Sequence, residues 1–409
     1  MIQTLAPTGL SFRAVADDRL RGAHDLFLAA LHSKPASDEL WDVMRHVYTA
    51  DRTFGAFDGE RQVGTAMSFP ASLTVPGGAA LSMAAVTYVG VRADHRRRGA
   101  LTGIMRAQLA DLAARGDVFA ALHASEPVIY SRFGYGVATI ARDLWLDAKR
   151  ARLRDDVPVE GTVRLLDDDE VVPALSAAYP ALQPTRAGLM GRSDQWWALG
   201  FTRRIRTDHQ LVAAHHAPDG HIDGWVAYKP AAPRSADVRA NPTLYVFDFQ
   251  AETQGVANDL WRYLLGVDLI DEIMVYFRPL DDPIEAMLAD SYALRGESEG
   301  ELWLRIVDVP TALATRTYGA AEPVVVEVVD PVLPANSGCY RIGPHGTERM
   351  AGAPAITMDV AALAMVYLGT WRPSTLADIG RITVTDPAAL PAADRLFAVD
   401  RPAWNGSLF

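Results

Sequence analysis

A chain of 409 residues is too long for one hydrophobic core and long enough for two or three domains. With 49% hydrophobic and 22% charged residues it has the balance of a globular protein, which excludes the disordered and fibrous classes. A net charge of −11 argues against a general nucleic-acid or anionic-membrane surface, and a lone cysteine, Cys339, excludes a disulfide framework and a cysteine metal cluster.

Taken in chain order, SFRAV (11–15) reads as a strand and DDRLRGAHDLFLAAL (17–31) as a helix. Asp17 or Asp18 is the expected cap, and Leu20, Phe27, Leu28 and Leu31 are the expected buried face. Residues 52–71 and 73–91 are apolar runs broken at Asp58-Gly59 and Pro76-Gly77-Gly78, which predicts an antiparallel meander. A helix follows over 99–116, burying Leu101, Met105, Leu109 and Leu112 and stopping at Gly116, and then a short buried strand over 117–124.

The order then repeats. Residues 163–179 match 12–30 as strand, acidic cap and helix, and 217–231 match 56–71, each with Asp-Gly and a Pro-Ala end. Residues 244–266 take the place of the strand and helix around 87–109, which predicts duplication of one fold. From about 300 the texture changes to strands such as ELWLRIVDV and VVVEVVD, with a buried helix expected over 357–369, capped by Thr357 or Asp359. The apolar stretch 360–369 within it is about half the roughly 20 residues a bilayer span needs, and the N-terminus lacks the basic and apolar regions of a secretion signal. A cytoplasmic protein without membrane contact is expected. His215, His216 and His221 lack a carboxylate set at ligand spacing, so no metal is expected.

Between the strand ending at Val91 and the helix starting near Gly99 stands HRRRGAL (95–101). A helix N-terminus presents unpaired N–H groups and the positive end of its dipole, a glycine allows close backbone approach, and arginine forks clasp phosphate oxygens. Together they fit a pyrophosphate. The second copy has Ala251-Glu252-Thr253-Gln254-Gly255 at this place and has lost the charge, which suits a structural, substrate-shaping role.

At these residues the chain resembles the GCN5-related N-acetyltransferases, whose acetyl-CoA motif is matched by Arg96 and Gly99 and departed from at Leu101. The longer stretch from HRRRGALTGIMRAQL to ALHASEPVIYSRFGYGVAT is similar to the Eis (enhanced intracellular survival) family. The resemblance covers the whole chain. It implies an α/β (α+β) fold of two tandem GNAT-like domains, the second degenerate, plus a C-terminal sterol-carrier-protein-like domain. We expect the catalytic domain over 1–141, the degenerate copy over 163–299, and the sterol-carrier-like unit from 142–162 with 300–409.

Carried over by position, the resemblance assigns Val89, Gly90 and Val91 to the acetyl-pantetheine arm and Arg97, Arg98, Gly99, Ala100, Leu101 and Thr102 to the pyrophosphate. Ser125 and Glu126 would line the cofactor, Tyr130 would be the general acid, and the carboxylate of Phe409 the base. Asp25, Trp41, Tyr88 and Trp197 fall where the family builds its amine pocket. A primary amine must lose a proton to attack a thioester, and the departing sulfur must gain one, so the chemistry needs one group of each kind. His123 reads as structural. The acceptor implied is a small-molecule or peptide amine, an aminoglycoside-type polyamine or a lysine. Ser407 and Leu408 remove a possible acidic contact for polycations. A homohexamer is implied by the family. A CoA-binding sensor without turnover and a lipid-binding protein using the third domain are the alternatives.

Overall fold

The computed structural model describes residues 9–232 and 241–409. Within them the strands form sheets of eight, seven and five. The first sheet begins as a meander of Leu10–Ala14, Thr53–Asp58, Arg61–Thr74 and Ala80–Val91. Its turns close where Gly59, Gly77 and Gly78 supply left-handed backbone. The helix Ala100–Arg115 then carries the chain across to Phe119–Leu122, which pairs in parallel with Ala80–Val91. That pairing runs only from Met83↔Phe119 to Ala85↔Ala121, so the two strands part beyond it and open a wedge.

The second sheet repeats the order. Thr162–Leu165, Leu211–His216, Ile222–Ala231 and Thr243–Ala251 form a meander, and Glu272–Pro279 joins in parallel after the helix Gln254–Leu265. Here too the parallel pairing stops early, at Val246↔Val275. The duplication read from the sequence is present in strand order and connection.

The two sheets also exchange strands. Ile140–Asp147 lies in the second sheet between Glu272–Pro279 and Leu294–Gly300. Trp303–Ile306 lies in the first sheet between Phe119–Leu122 and Gly136–Val137. Residues 136–147 and 294–306 thus run as one antiparallel ribbon through both sheets, and Thr139 and Glu301 face each other at its waist, where the Glu301 N–H donates to the Thr139 carbonyl at 2.9 Å. This corrects the boundaries expected above. Residues 140–147 belong with the second sheet and 303–306 with the first, because each fills a ladder position that the local sequence could not specify.

The third sheet is ordered Gly346–Met350, Gly338–Gly343, Val324–Val329, Ile356–Asp359 and Ile382–Val384. The expected helix over 357–369 divides into the strand Ile356–Asp359 and the helix Val360–Tyr367. Asp359 is the cap, accepting the Ala362 N–H at 2.7 Å, and Thr357 stays in the strand, bonded to Glu327. The helix is apolar on every face because it packs against its own sheet and against the ribbon strands Gly136–Val137 and Trp303–Ile306. Across this seam Arg305 and Asp330 form a fully buried ion pair at 2.6 Å. Among the described residues no helix is long and apolar enough to cross a membrane.

The N-terminal helix also departs from expectation. Asp17 and Asp18 occupy a 3-10 turn, and the helix Leu20–Ala30 starts at Arg19 without a side-chain cap. The turn changes the helical phase, so Leu20, Ala23 and His24 are buried while Leu31 is 52% exposed.

Candidate active site

The wedge between Ala80–Val91 and Phe119–Leu122 is sharpened by a bulge. Thr65 pairs with Gly90 and Met67 with Thr87, so Tyr88 and Val89 together oppose Ala66. Tyr88 has a φ of +52°, a strained value for a bulky residue that frees this stretch of backbone from the ladder. Val89, Gly90 and Val91 follow on the wedge, where an extended pantetheine arm can find unpaired main-chain groups.

At the wedge mouth the strand hands over to the helix Ala100–Arg115 through the arginine turn. Arg97 (φ +60°) and Gly99 (φ +83°) are both left-handed, with Gly99 at the N-cap. Arg96, Arg97 and Arg98 are all exposed, above the unpaired N–H groups of the first helical turn. The turn is braced by residues sequence reasoning did not single out. His95 is buried between Asp94 (2.8 Å) and Asp58 (3.3 Å), and Asp58 also meets Arg98 at 3.6 Å. Asp58 had been read only as a hairpin residue. Leu101, beyond the capping glycine, is half-buried against the Tyr130 cluster, so its departure from the motif is absorbed by packing.

Beyond the parallel strand, Ser125 and Glu126 are exposed, and two 3-10 turns, Pro127–Ile129 and Ser131–Phe133, meet at Tyr130. The Tyr130 ring packs edge-on to Tyr135 at 5.9 Å and is 6% exposed. Burial, and next the charge of Glu126, push its phenol up to about 12, so it stays a proton donor at neutral pH.

Phe409 reaches the same strand end from the other terminus. Its ring packs edge-on to His123 at 4.8 Å and Phe69 at 6.0 Å. The five residues Ala403–Ser407 before the final two are buried. The Ser407 carbonyl accepts from His123 Nε2 at 3.0 Å, and burial lowers the imidazole to about 4, so this ring is a neutral donor that anchors the tail. Arg192, paired with Asp248 at 2.7 Å and stacked over Trp196 and Tyr179, donates to the Gly406 carbonyl and the Ser407 hydroxyl. Glu301 accepts the N–H groups of Asn405 and Gly406. No local pattern marked Arg192 or Glu301, because the partners they hydrogen-bond lie 56 to 215 residues away.

Of the expected acceptor residues, three gather. Tyr88 stacks on Tyr48 at 5.3 Å, and His24 lies within 6 Å of Trp41, Tyr48 and Tyr88. Asp25 is beside them, with one carboxylate oxygen accepting the Ala36 N–H at 3.0 Å. Burial lowers His24 to about 4. Trp197 is buried with Trp196, Phe201 and Tyr179 around Arg192, and the helical segment that continues from it, Ala198–Thr202, packs against Asp38–Met44, which carries Trp41.

A wedge with a bulged wall, an anion turn at a helix start and a second sheet of the same order define a GCN5-related N-acetyltransferase. In agreement, an acetyltransferase (GNAT) domain model matches residues 11–138, a second one matches 188–306, and a sterol carrier protein domain model matches 309–406. The chain is 35% identical to an uncharacterized N-acetyltransferase of Streptomyces coelicolor, covering 92% of this chain and 94% of that one. It is 33% identical to N-acetyltransferase Eis of Mycobacterium tuberculosis, over 87% and 88% respectively. The crystal structure of Eis1 from Mycobacterium abscessus superposes with a TM-score of 0.84 at 34% identity, covering 98% of this chain and 100% of that one. The chain belongs to the Eis family of N-acetyltransferases.

Proposed function

We propose that the protein moves the acetyl group of acetyl-CoA directly to a primary amine of a small molecule or peptide, either an aminoglycoside-type polyamine or a lysine. The amine nitrogen attacks the thioester carbonyl, a carbon–nitrogen bond forms, and the carbon–sulfur bond breaks. The Phe409 carboxylate takes the proton the nitrogen sheds, directly or through water, and the Tyr130 hydroxyl donates to the departing sulfur. Val89, Gly90, Val91, Arg97, Arg98, Gly99, Ala100, Leu101, Thr102, Ser125 and Glu126 would hold the cofactor along the wedge. Asp25, Trp41 and Tyr88 would meet the acceptor, where aromatic faces and one carboxylate suit a cation. The family resemblance supports a cytoplasmic homohexamer without nucleic-acid or membrane partners.

The observation that carries this reading is the buried tail, which brings the last residue of the chain against His123, at the end of the strand that leads to Tyr130. A frayed terminus would carry no such anchoring. The test is free-thiol release from acetyl-CoA with an aminoglycoside, a lysine peptide and a polyamine, using the native chain and one extended by a single residue after Phe409. Amine-dependent release that the extension abolishes is the expected result. Full activity of the extended chain would remove the terminal base. CoA binding without release on any amine would favour a sensor.

A further inference from the structure

The tail that ends in Phe409 is held by a residue outside the cofactor turn. Glu301 stands at the waist of the ribbon that passes from one sheet to the other. It is 1% exposed, and three donors converge on its carboxylate. The Gly406 N–H reaches Oε1 at 2.6 Å, and the Asn405 N–H at 3.1 Å and the Thr139 hydroxyl at 2.9 Å both reach Oε2. Thr139 lies on the opposite strand of the same waist and also accepts the Leu302 N–H. Two main-chain amides of an otherwise irregular tail are thereby fixed to the one place whose position depends on both sheets.

We propose that Glu301 is the positioning residue for the Phe409 carboxylate, tying the tail to the crossing point of the two sheets so that the base stands at a set distance from the wedge. This rests on the proposed role of Phe409. The grip is two-sided. Glu301 receives the amides of Asn405 and Gly406, while Arg192 and Gln250 donate to the Gly406 carbonyl on the other side. Three residues separate this anchor from the terminal carboxylate, and the His123 donor to Ser407 steadies the interval. A carboxylate suits the task better than an amide, because both of its oxygens accept. In Glu301→Gln one of them becomes an NH2 group facing a donor, which costs a hydrogen bond and leaves a buried N–H unpaired. Desolvation is the dominant influence on the carboxyl, which stands at about 7 even with the amides of Asn405 and Gly406, Thr139 and the more distant Arg186 pulling it down.

The experiment compares wild type with Glu301→Gln in two readouts, using the amine the wild type acetylates fastest. In thiol release, kcat should fall by about tenfold or more with the KM for acetyl-CoA within about twofold, since the cofactor turn is untouched. In timed digestion with carboxypeptidase A, Phe409 should leave the variant about tenfold faster than the wild type. Unchanged kcat together with unchanged Phe409 release overturns the proposal, as does a slower kcat with the tail still fully protected. Faster release with unchanged kcat overturns the terminal base itself and leaves the clamp standing. A check on wild type alone guards against a poorly folded variant: the amides of Asn405 and Gly406 should resist hydrogen exchange as the ribbon amide of Leu304 does. Exchange at free-peptide rates overturns the clamp.

Discussion

Tyr130→Phe removes one oxygen and keeps the ring that packs among Ala84, Leu122, Phe133 and Tyr135. Stability should therefore move by no more than about 1 kcal/mol. The effect on turnover follows from the proton affinities of the two partners. The phenol is held at about 12, and an ordinary thiol titrates near ~8.5, so complete proton transfer to a free thiolate runs uphill by about 5 kcal/mol. In the proposed role the hydroxyl would offer the transition state a charge-assisted hydrogen bond to the sulfur, about 2–3 kcal/mol, or roughly 30- to 200-fold in kcat. Thiol release at saturating acetyl-CoA and amine measures it, with CoA affinity from a separate titration expected to be unchanged. A variant within about threefold of wild-type kcat would exclude Tyr130 from the step. A loss near 10⁴-fold would refute the hydrogen-bond magnitude and require full proton transfer in the rate-limiting step.

Replacing Arg97 and Arg98 together by alanine should weaken acetyl-CoA binding by roughly 10- to 100-fold while kcat at saturation changes little, because the turn lies at the mouth of the wedge; equal affinity in both proteins, measured by calorimetry, would place the pyrophosphate elsewhere. Arg305→Met leaves Asp330 charged and fully buried, so unfolding free energy in urea should drop by about 3–5 kcal/mol, and a loss under about 1 kcal/mol would contradict the reading of the seam. Glu301 also fixes a pH dependence. Its native carboxyl binds a proton more tightly than the unfolded one, at about 7 against 4.5, so its contribution favours the fold at acid pH and is lost as pH rises from about 4.5 to about 7. The stability of wild type relative to Glu301→Gln should fall by on the order of 3 kcal/mol between pH 4 and pH 8; a constant difference would show that the carboxyl titrates normally.

The local features of the candidate site were easier to read in the sequence than the architecture joining them. HRRRGAL announces an anion turn because charge, glycine and helix start are adjacent, and the structure places them at the mouth of the wedge. The repeat was legible because a strand, acidic cap and helix, and then an Asp-Gly turn with a Pro-Ala end, recur in order. The exchanged ribbon was not, since the alternation of ARDLWLD suits any half-buried ladder and the choice of partner is made across 150 residues. Glu301 shows the same limit. Glu297, Glu299 and Glu301 alternate, which in a single strand would place all three on one face. The chain passes from one sheet to the other at Glu301, so Glu297 and Glu299 are exposed while Glu301 is buried under the tail. Asp17 and Asp18 looked like a helix cap because acids favour that place, but an added 3-10 turn moved the helix start past them.

The ribbon also sets an order in time. As the chain is synthesised, residues 11–138 emerge with the cofactor turn complete, yet the strand that covers Phe119–Leu122 is Trp303–Ile306, made about 180 residues later. Until then that strand is a bare apolar edge of the kind that invites misassociation, which gives a fragment ending at residue 138 a reason to aggregate.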